Sequence, residues 1–190
     1  TGVALHGAEL TDPYPPVYLP DQPKTPCVIL TLETHGVVSQ TRIGFETPPL
    51  VLPNHTADIS PLADVVNVAS TRRDVQLRVN NIAPLGAKVS FELPADWTSS
   101  PTETGYALNL PAECPLGTQT ATLLLDGHPA KTVRRIEHDH IAPRANSQPA
   151  ETKVAVIDVA LPKVKVGYIG GGLDRVDYWL DRIGMDVTPL

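Results

Sequence analysis

The sequence lacks a long apolar run, has few aromatic residues and is poor in positive charge. A transmembrane helix needs about 18 or more consecutive apolar residues, and no stretch approaches that length. The formal net charge is −6, with 21 acidic and 15 basic residues. An acidic chain repels phosphate backbones and anionic lipids, so nucleic acid and membrane surfaces are not expected partners.

The opening residues show no signal-peptide pattern, and the sequence holds only two cysteines, Cys27 and Cys114. Because Thr1 stands where an initiator Met would, we expect a mature product or an excised segment of a longer protein. The cysteines lie far apart and match no metal spacing, which leaves one disulfide or two buried free thiols. The compartment is not fixed by these features, although a secreted or periplasmic location is slightly favoured.

Motifs for catalysis are absent as well. There is no G-x-S-x-G, neither cysteine has a nucleophile context, and no lysine of a phosphate-binding P-loop follows the glycines. The one metal-like cluster contains His138 and His140, which share a face in an extended segment but have no evident third ligand. We therefore expect no catalytic residue, no metal and no cofactor in this chain, which we do not expect to be an enzyme.

What the sequence does have is proline and short alternating strands. Prolines number 20 of 190, well above the ~5% of an average protein, and they favour short strands joined by fixed turns. Residues 75–79 and 89–93 alternate apolar and polar side chains, which is typical of strands with one buried face. Asn80-Asn81 and Pro84 to Gly86 are interpreted as the connecting turn. This pattern predicts a mainly β protein with an immunoglobulin-like antiparallel β-sandwich.

The chain divides into four predicted regions. Residues 1–24 form an irregular, proline-rich strap or the tail of a preceding domain. Residues 25–136 form the sandwich, best defined over 64–136. Residues 137–153 have the composition of a linker, and residues 154–190 form a truncated α/β unit.

The end of the chain predicts a β-α-β unit of a flavodoxin- or amidotransferase-like fold. A buried strand over Lys165–Ile169 leads through glycines into a helix, and a second strand begins at Met185. Asp174 is the predicted N-cap and Gly184 the predicted C-terminal glycine. The helix carries one apolar stripe, which needs cover from the sandwich or from a second copy of the chain: Val176, Trp179, Leu180 and Ile183.

Two sets of residues are candidate ligand contacts. A strand–glycine–helix turn often holds phosphate, which makes Gly170, Gly171, Gly172 and Asp174 candidates. However, the spacing fits no dinucleotide fingerprint, and an acidic residue at the helix start repels an anion, so a structural turn is favoured. Trp97 and Tyr106 are the candidates for stacking on a sugar ring, although Trp97 equally suits the end of a β-sandwich core.

Three segments near the end resemble a known protein family: residues 133–141 (VRRIEHDHI), 154–161 (VAVIDVAL) and 165–174 (KVGYIGGGLD). They are similar to the C-terminal region of large bacterial deacetylases of the PIG-L/LmbE type. In that family a zinc-dependent N-acetyl-sugar deacetylase domain precedes a β-sandwich and a glutamine-amidotransferase-like domain. The family's His-Pro-Asp-Asp type zinc motif is absent here, so the resemblance implies a non-catalytic piece whose zinc lies in another domain.

The expected function is therefore an accessory, spacer or substrate-docking region of such a deacetylase. Its expected partners are the other domains of the parent protein, with a possible homodimer through residues 164–190. One alternative is an independent carbohydrate- or protein-binding sandwich. The other is a small ligand-binding domain that uses the GGGLD turn.

Overall fold

The computed structural model of the protein describes residues 3–5, 27–45, 50–138, 141–171 and 175–190. These residues form a mainly β structure with one helix. The elements are β1 Val3–Leu5, β2 Cys27–Thr34, β3 Val37–Gly44, β4 Thr56–Ser60, β5 Ala63–Asn67, β6 Asp74–Ala83, β7 Val89–Glu92, β8 Thr98–Thr102, β9 Gly105–Asn109, β10 Gly117–Leu125, β11 His128–Pro129, β12 Lys131–His138, β13 Ile141–Pro149, β14 Glu151–Ile157, β15 Lys165–Tyr168, α1 Val176–Ile183 and β16 Asp186–Pro189.

The chain divides into two compact units, one of residues 1–54 with 133–148 and one of residues 55–132 with 149–190. In the first unit β1, β2 and β3 form an antiparallel sheet. The β2–β3 hairpin turns at His35 and Gly36, whose φ angles of 51° and 78° suit a two-residue turn between twisted strands. The predicted turn at residues 34–36 is confirmed. The predicted strap over residues 1–24 falls outside the described residues, except for β1.

The second unit contains two larger sheets. One includes β4, β6, β9 and β8 in that order, and the start of β12 joins it where Lys131 pairs with Thr56. The other has the order β11, β10, β14, β5, with β7 also paired to β10. Both sheets contribute to one apolar core, in which Leu77 and Leu108 meet Leu123 and Val154, all at most 2% exposed. Burial of these side chains is the main stabilising term for this unit.

The alternation that predicted strands is seen directly in β6. Val75 and Leu77 are buried, whereas Gln76 and Arg78 are exposed. The predicted turn at Asn80-Asn81 is wrong, because β6 continues to Ala83 and the chain turns only after it. Within this strand Asn81 has a left-handed φ of 52°. Its side-chain amide donates a 2.6 Å hydrogen bond to the Asp58 carboxylate.

The predicted linker over residues 137–153 needs correction. β12 runs to His138, β13 covers Ile141–Pro149, and β14 begins at Glu151. The polar, proline-containing composition suggested a linker, but ladder hydrogen bonds use the backbone and tolerate such side chains at solvent-exposed strands. β14 pairs with β10 and β5 inside a five-stranded sheet, so it belongs with that sheet and not with the α/β segment that follows.

The tail segment, residues 164–190, has the predicted strand–helix–strand order. β15 and β16 pair in parallel, and α1 ends at Gly184, whose left-handed φ of 102° allows its N–H to reach the Asp181 carbonyl at 2.9 Å. The helix begins with Arg175 in the N-cap position and without a side-chain cap. The predicted N-cap, Asp174, lies outside the described residues.

One prediction about burial in the tail segment is wrong, and the other, cover for the apolar stripe by the sandwich or by a second copy of the chain, stays a prediction. The first strand was expected to be buried, but Lys165 and Gly167 are exposed, and Ile169 just beyond it is 79% exposed. Two strands and one helix cover only one face of a sheet, so the other face meets solvent. Of the predicted apolar stripe, Val176 and Trp179 are 45% and 42% exposed. No helix among the described residues is long and apolar enough to cross a membrane.

Candidate functional site: a cleft lined by arginines

A cavity of about 460 Å³ lies within the second unit, beside the helix of the tail segment. It is bordered by the β4–β5 turn, the middle of β6, the β8–β9 turn and the first two turns of α1. Its polar and charged lining consists of Ser60, Asp64, Arg72, Gln76, Arg78, Thr104, Arg175, Tyr178 and Arg182. Because four arginines face one aspartate in this lining, we call it the arginine cleft.

Arg182 and Asp64 form the floor of the arginine cleft. Both side chains are 2% exposed, and Arg182 Nε donates to Asp64 Oδ1 at 2.9 Å. Arg182 also donates through a terminal nitrogen to the Asp74 carbonyl at 2.7 Å, and Asp64 Oδ1 accepts a 2.8 Å bond from the Val65 N–H. A buried charge is tolerated only when it is paired and hydrogen-bonded, and both conditions hold here. This pair fixes the helix to β5 and β6.

Asn67 fastens the same, C-terminal end of the helix. Its amide nitrogen donates to the Ile183 and Val159 carbonyls at 2.9 and 2.8 Å, and its amide oxygen accepts from the Ala69 and Val159 N–H groups at 3.1 and 3.0 Å. The side chain is 1% exposed, and all four of its hydrogen-bonding positions are used. The bond to Ile183 satisfies one of the carbonyls that a helix C-terminus leaves without an internal partner. The C-terminal end of α1 is therefore held by two buried side chains, Arg182 and Asn67.

Arg72 is an exposed member of the cleft with its own carboxylates. Its terminal nitrogen contacts Asp181 at 2.7 Å, and its Nε lies 3.9 Å from Asp74. These contacts neutralise Arg72 locally. They also add a second, solvent-exposed link between β6 and the helix, of the kind that contributes little to stability.

Tyr178 and Arg175 form the helix side of the cleft. The Arg175 guanidinium lies 4.4 Å from the centre of the Tyr178 ring, which is a cation–π contact, and Trp179 meets the same ring edge-on at 5.0 Å. Partial burial of the phenol raises the pKa of Tyr178, and the nearby negative charge of Asp64 raises it further. The phenol therefore stays protonated at neutral pH.

Two arginines of the cleft remain without a carboxylate. Within the part of the chain that the structure describes, Arg78 and Arg175 form no ion pair, and both are exposed. Arg78 stands on β6 opposite Ser60, whereas Arg175 precedes the helix. The cleft thus brings together two arginines that pair with no described carboxylate, a neutral phenol and small polar side chains.

Neither the protein-family profiles, nor the curated proteins, nor the solved structures include a match to this chain.

Of the residues predicted from the sequence as ligand contacts, those that the structure describes do not line the cleft. Gly170 and Gly171 are exposed on the loop before α1, and Gly172 lies with Asp174 outside the described residues. A side chain at Gly170 would come within 3.1 Å of the Tyr168 ring, so this glycine has a packing role.

The predicted sugar-stacking aromatics are also placed elsewhere. Trp97 is 6% exposed and belongs to the apolar core, so it offers no ring face to a sugar. Tyr106 is half-buried and packs edge-on against Phe91 at 5.3 Å. This corrects the expectation that these two rings are free to stack.

The remaining predicted sites concern metals and thiols. His138 is exposed at the end of β12, and His140 lies outside the described residues. Among the described residues, no group of three or more His, Cys, Asp or Glu is arranged to hold a metal ion. Cys27 is a buried free thiol and Cys114 a partly buried one, so the disulfide alternative is not realised.

Sequence reasoning missed the arginine cleft because its members are dispersed. Arg72 precedes β6 and Arg78 lies on it, whereas Arg175 precedes α1 and Arg182 lies within it, far along the chain. The available signal was the polar face of the helix, where Arg182 lies opposite the apolar stripe. From that face Arg182 alone is buried, and it reaches Asp64 of β5.

Proposed function

We propose that this chain is a non-catalytic accessory region that docks a ligand for a multidomain enzyme, with the arginine cleft as its docking site. The observation that carries the proposal is the buried Asp64–Arg182 pair, which builds the cleft by holding α1 against β5 and β6. A preformed concavity with charged and hydrogen-bonding groups suits ligand capture. The residues around it make no nucleophile–base arrangement that would suit catalysis.

We propose further that the parent enzyme is a PIG-L-type zinc deacetylase acting on N-acetylated sugars. Support comes from the resemblance of residues 133–141 and 165–174 to the C-terminal region of such enzymes. In this interpretation the two packed sheets of the second unit are an immunoglobulin-like sandwich. The tail segment is then the opening unit of a flavodoxin- or amidotransferase-like domain, and the zinc belongs to another domain of the parent.

The reading frame that encodes this chain tests the parentage. We expect a His-Pro-Asp-Asp type motif with a distant histidine upstream of Thr1. A reading frame without that motif would remove the deacetylase from the proposal. If the motif is present, the parent enzyme is assayed for N-acetyl-sugar deacetylation with and without residues 55–190, and loss of the region is expected to raise KM and to leave kcat nearly unchanged.

The same proposal assigns a partner to the exposed side of the tail segment. Val176 and Trp179 on the helix, with Ile169 and Leu190 beside the two strands, are between 42% and 80% exposed. Since four large apolar side chains of one short segment are exposed, we propose that a second copy of the chain packs on them. Sedimentation of the chain over a range of concentrations tests this, and a monomer at every concentration would contradict it.

A further inference from the structure

We infer that the arginine cleft binds a small organic molecule through a carboxylate or phosphate group, and that Arg78 and Arg175 recognise this oxyanion. The inference rests on the docking role proposed above and names the chemical class of the ligand. It is carried by the distribution of charge in the cleft, by the fixed geometry of its walls and by its size.

The four arginines of the cleft fall into two pairs, one with carboxylate partners and one without such partners among the described residues. Arg182 is held by the buried Asp64, and Arg72 by the exposed Asp181, so these two are largely neutralised. Arg78 and Arg175 form no ion pair with any residue in the described ranges, although the chain as a whole carries a charge of −6. In an acidic protein, two uncompensated guanidinium groups in one concavity attract an anion from solution. Arginine is also the side chain best suited to bind a carboxylate or phosphate by two parallel hydrogen bonds.

The positions of Arg78 and Arg175 are restricted before a ligand binds. Arg78 stands on β6, within a ladder that runs to β4 and β9, so its backbone is fixed. Arg175 precedes α1, and Arg182 and Asn67 fasten the C-terminal end of that helix to β5 and β6. The Tyr178 ring, 4.4 Å from the Arg175 guanidinium, limits the positions which that long side chain samples. A ligand therefore loses less free energy to ordering the site than it would on a flexible surface.

The size of the arginine cleft favours an organic ligand over a bare ion. A volume of about 460 Å³ falls in the range of small-molecule sites, roughly 300–1,000 Å³. A single phosphate ion would occupy a small part of it. The rest of the lining offers hydroxyl and amide groups on Ser60, Thr104 and Gln76, and the neutral phenol of Tyr178, which suit the hydroxyl groups of a polar ligand.

Isothermal titration calorimetry on the full 190-residue chain tests the inference. The probes are glucose 6-phosphate and glucuronate, which carry the two oxyanions on similar bodies, with glucose as the neutral control and inorganic phosphate as the bare ion. We expect at least one charged sugar to bind with a Kd below about 1 mM, an affinity of roughly −4 kcal/mol. We expect glucose and inorganic phosphate each to bind at least tenfold more weakly. The preferred charged probe identifies which oxyanion the site takes.

Two double variants locate the site. Arg78→Gln with Arg175→Gln removes the two unpaired charges of the cleft, and we expect it to weaken binding of the preferred probe at least tenfold. Arg134→Gln with Arg135→Gln makes the same change in net charge at exposed positions of β12, outside the cleft, and we expect less than a twofold effect. All four residues are exposed, so both variants are expected to fold, which thermal unfolding verifies.

Four outcomes would overturn the inference. These are no binding of either charged sugar, equal binding of glucose, equal binding of inorganic phosphate, and equal weakening by the two double variants. Each counts against the arginine cleft as the docking site but leaves the accessory role itself standing, because that role is measured by deletion in the parent enzyme. Conversely, a reading frame without a deacetylase motif would refute the parentage while leaving the calorimetry unchanged.

Discussion

Replacing Arg182 by methionine tests whether the buried ion pair holds the helix in place. The substitution keeps an unbranched side chain of similar length but removes the 2.9 Å bond to Asp64 and the 2.7 Å bond to the Asp74 carbonyl. It leaves the Asp64 carboxylate, which is 2% exposed, without its cation and with neutral donors such as the Val65 N–H. Breaking a buried pair from one side costs about 3–5 kcal/mol, because the remaining charge is uncompensated.

The assay is urea unfolding followed by tryptophan fluorescence. Both tryptophans, Trp97 and Trp179, lie in the second unit, so the signal reports that unit alone. With an m-value of ~2 kcal/mol/M, a loss of 3–5 kcal/mol lowers the unfolding midpoint by roughly 1.5–2.5 M. A single domain is stable by only about 5–15 kcal/mol, so the effect is a large share of the total.

Two further variants make the result specific. Arg72→Met removes the exposed pair with Asp181, whose side chains are 44% and 58% exposed, and is expected to cost less than ~1 kcal/mol. Combining Asp64→Leu with Arg182→Met removes both charges and is expected to recover most of the loss. If Arg182→Met costs no more than Arg72→Met, the buried pair does not hold the helix and the reasoning fails.

Three other predictions address the same region. Asn67→Ala removes four hydrogen bonds at a buried position and is expected to destabilise the second unit by about 2–4 kcal/mol in urea unfolding. A loss under ~1 kcal/mol would show that water replaces these bonds. Because the pKa of Tyr178 is raised in the folded state, its contribution to stability is present below the unfolded pKa of about 10 and is lost as the pH rises through the folded value. Tyr178→Phe is therefore expected to flatten the alkaline fall in unfolding free energy, and an unchanged pH profile would contradict this. Trp179→Glu, which places a charge on the exposed face of the helix, is expected to shift sedimentation towards the monomer without lowering the unfolding midpoint, and no shift would count against the dimer.

Local signals in the sequence predicted local structure well. The alternation around Val75 and Leu77, the turn at residues 34–36 and the left-handed Gly184 all behave as expected, because each depends on a few adjacent residues. The strands within residues 137–153, where a linker was predicted, were missed for the opposite reason. Strand pairing there depends on backbone hydrogen bonds to distant segments, which side-chain composition does not report.

The candidate site was not predictable because burial reversed the usual rule for a helix. An apolar stripe normally faces the core, yet α1 turns Arg182 inwards and leaves Trp179 half exposed. The reason is a single long-range partner, since Asp64 lies in the adjacent strand and a buried carboxylate requires a cation. Only the fold brings these two residues together.

Arginine side-chain NMR during a ligand titration tests the central claim most directly. The Nε–H resonances of Arg78, Arg175, Arg134 and Arg135 are followed while glucose 6-phosphate, and separately glucuronate, is added to the full chain. We predict saturable shifts for Arg78 and Arg175 with at least one of these probes, at the same midpoint, and none for Arg134 and Arg135. Uniform small shifts at all four arginines, or no shift at Arg78 and Arg175 with either probe, would contradict the claim that the cleft is a binding site for an oxyanion.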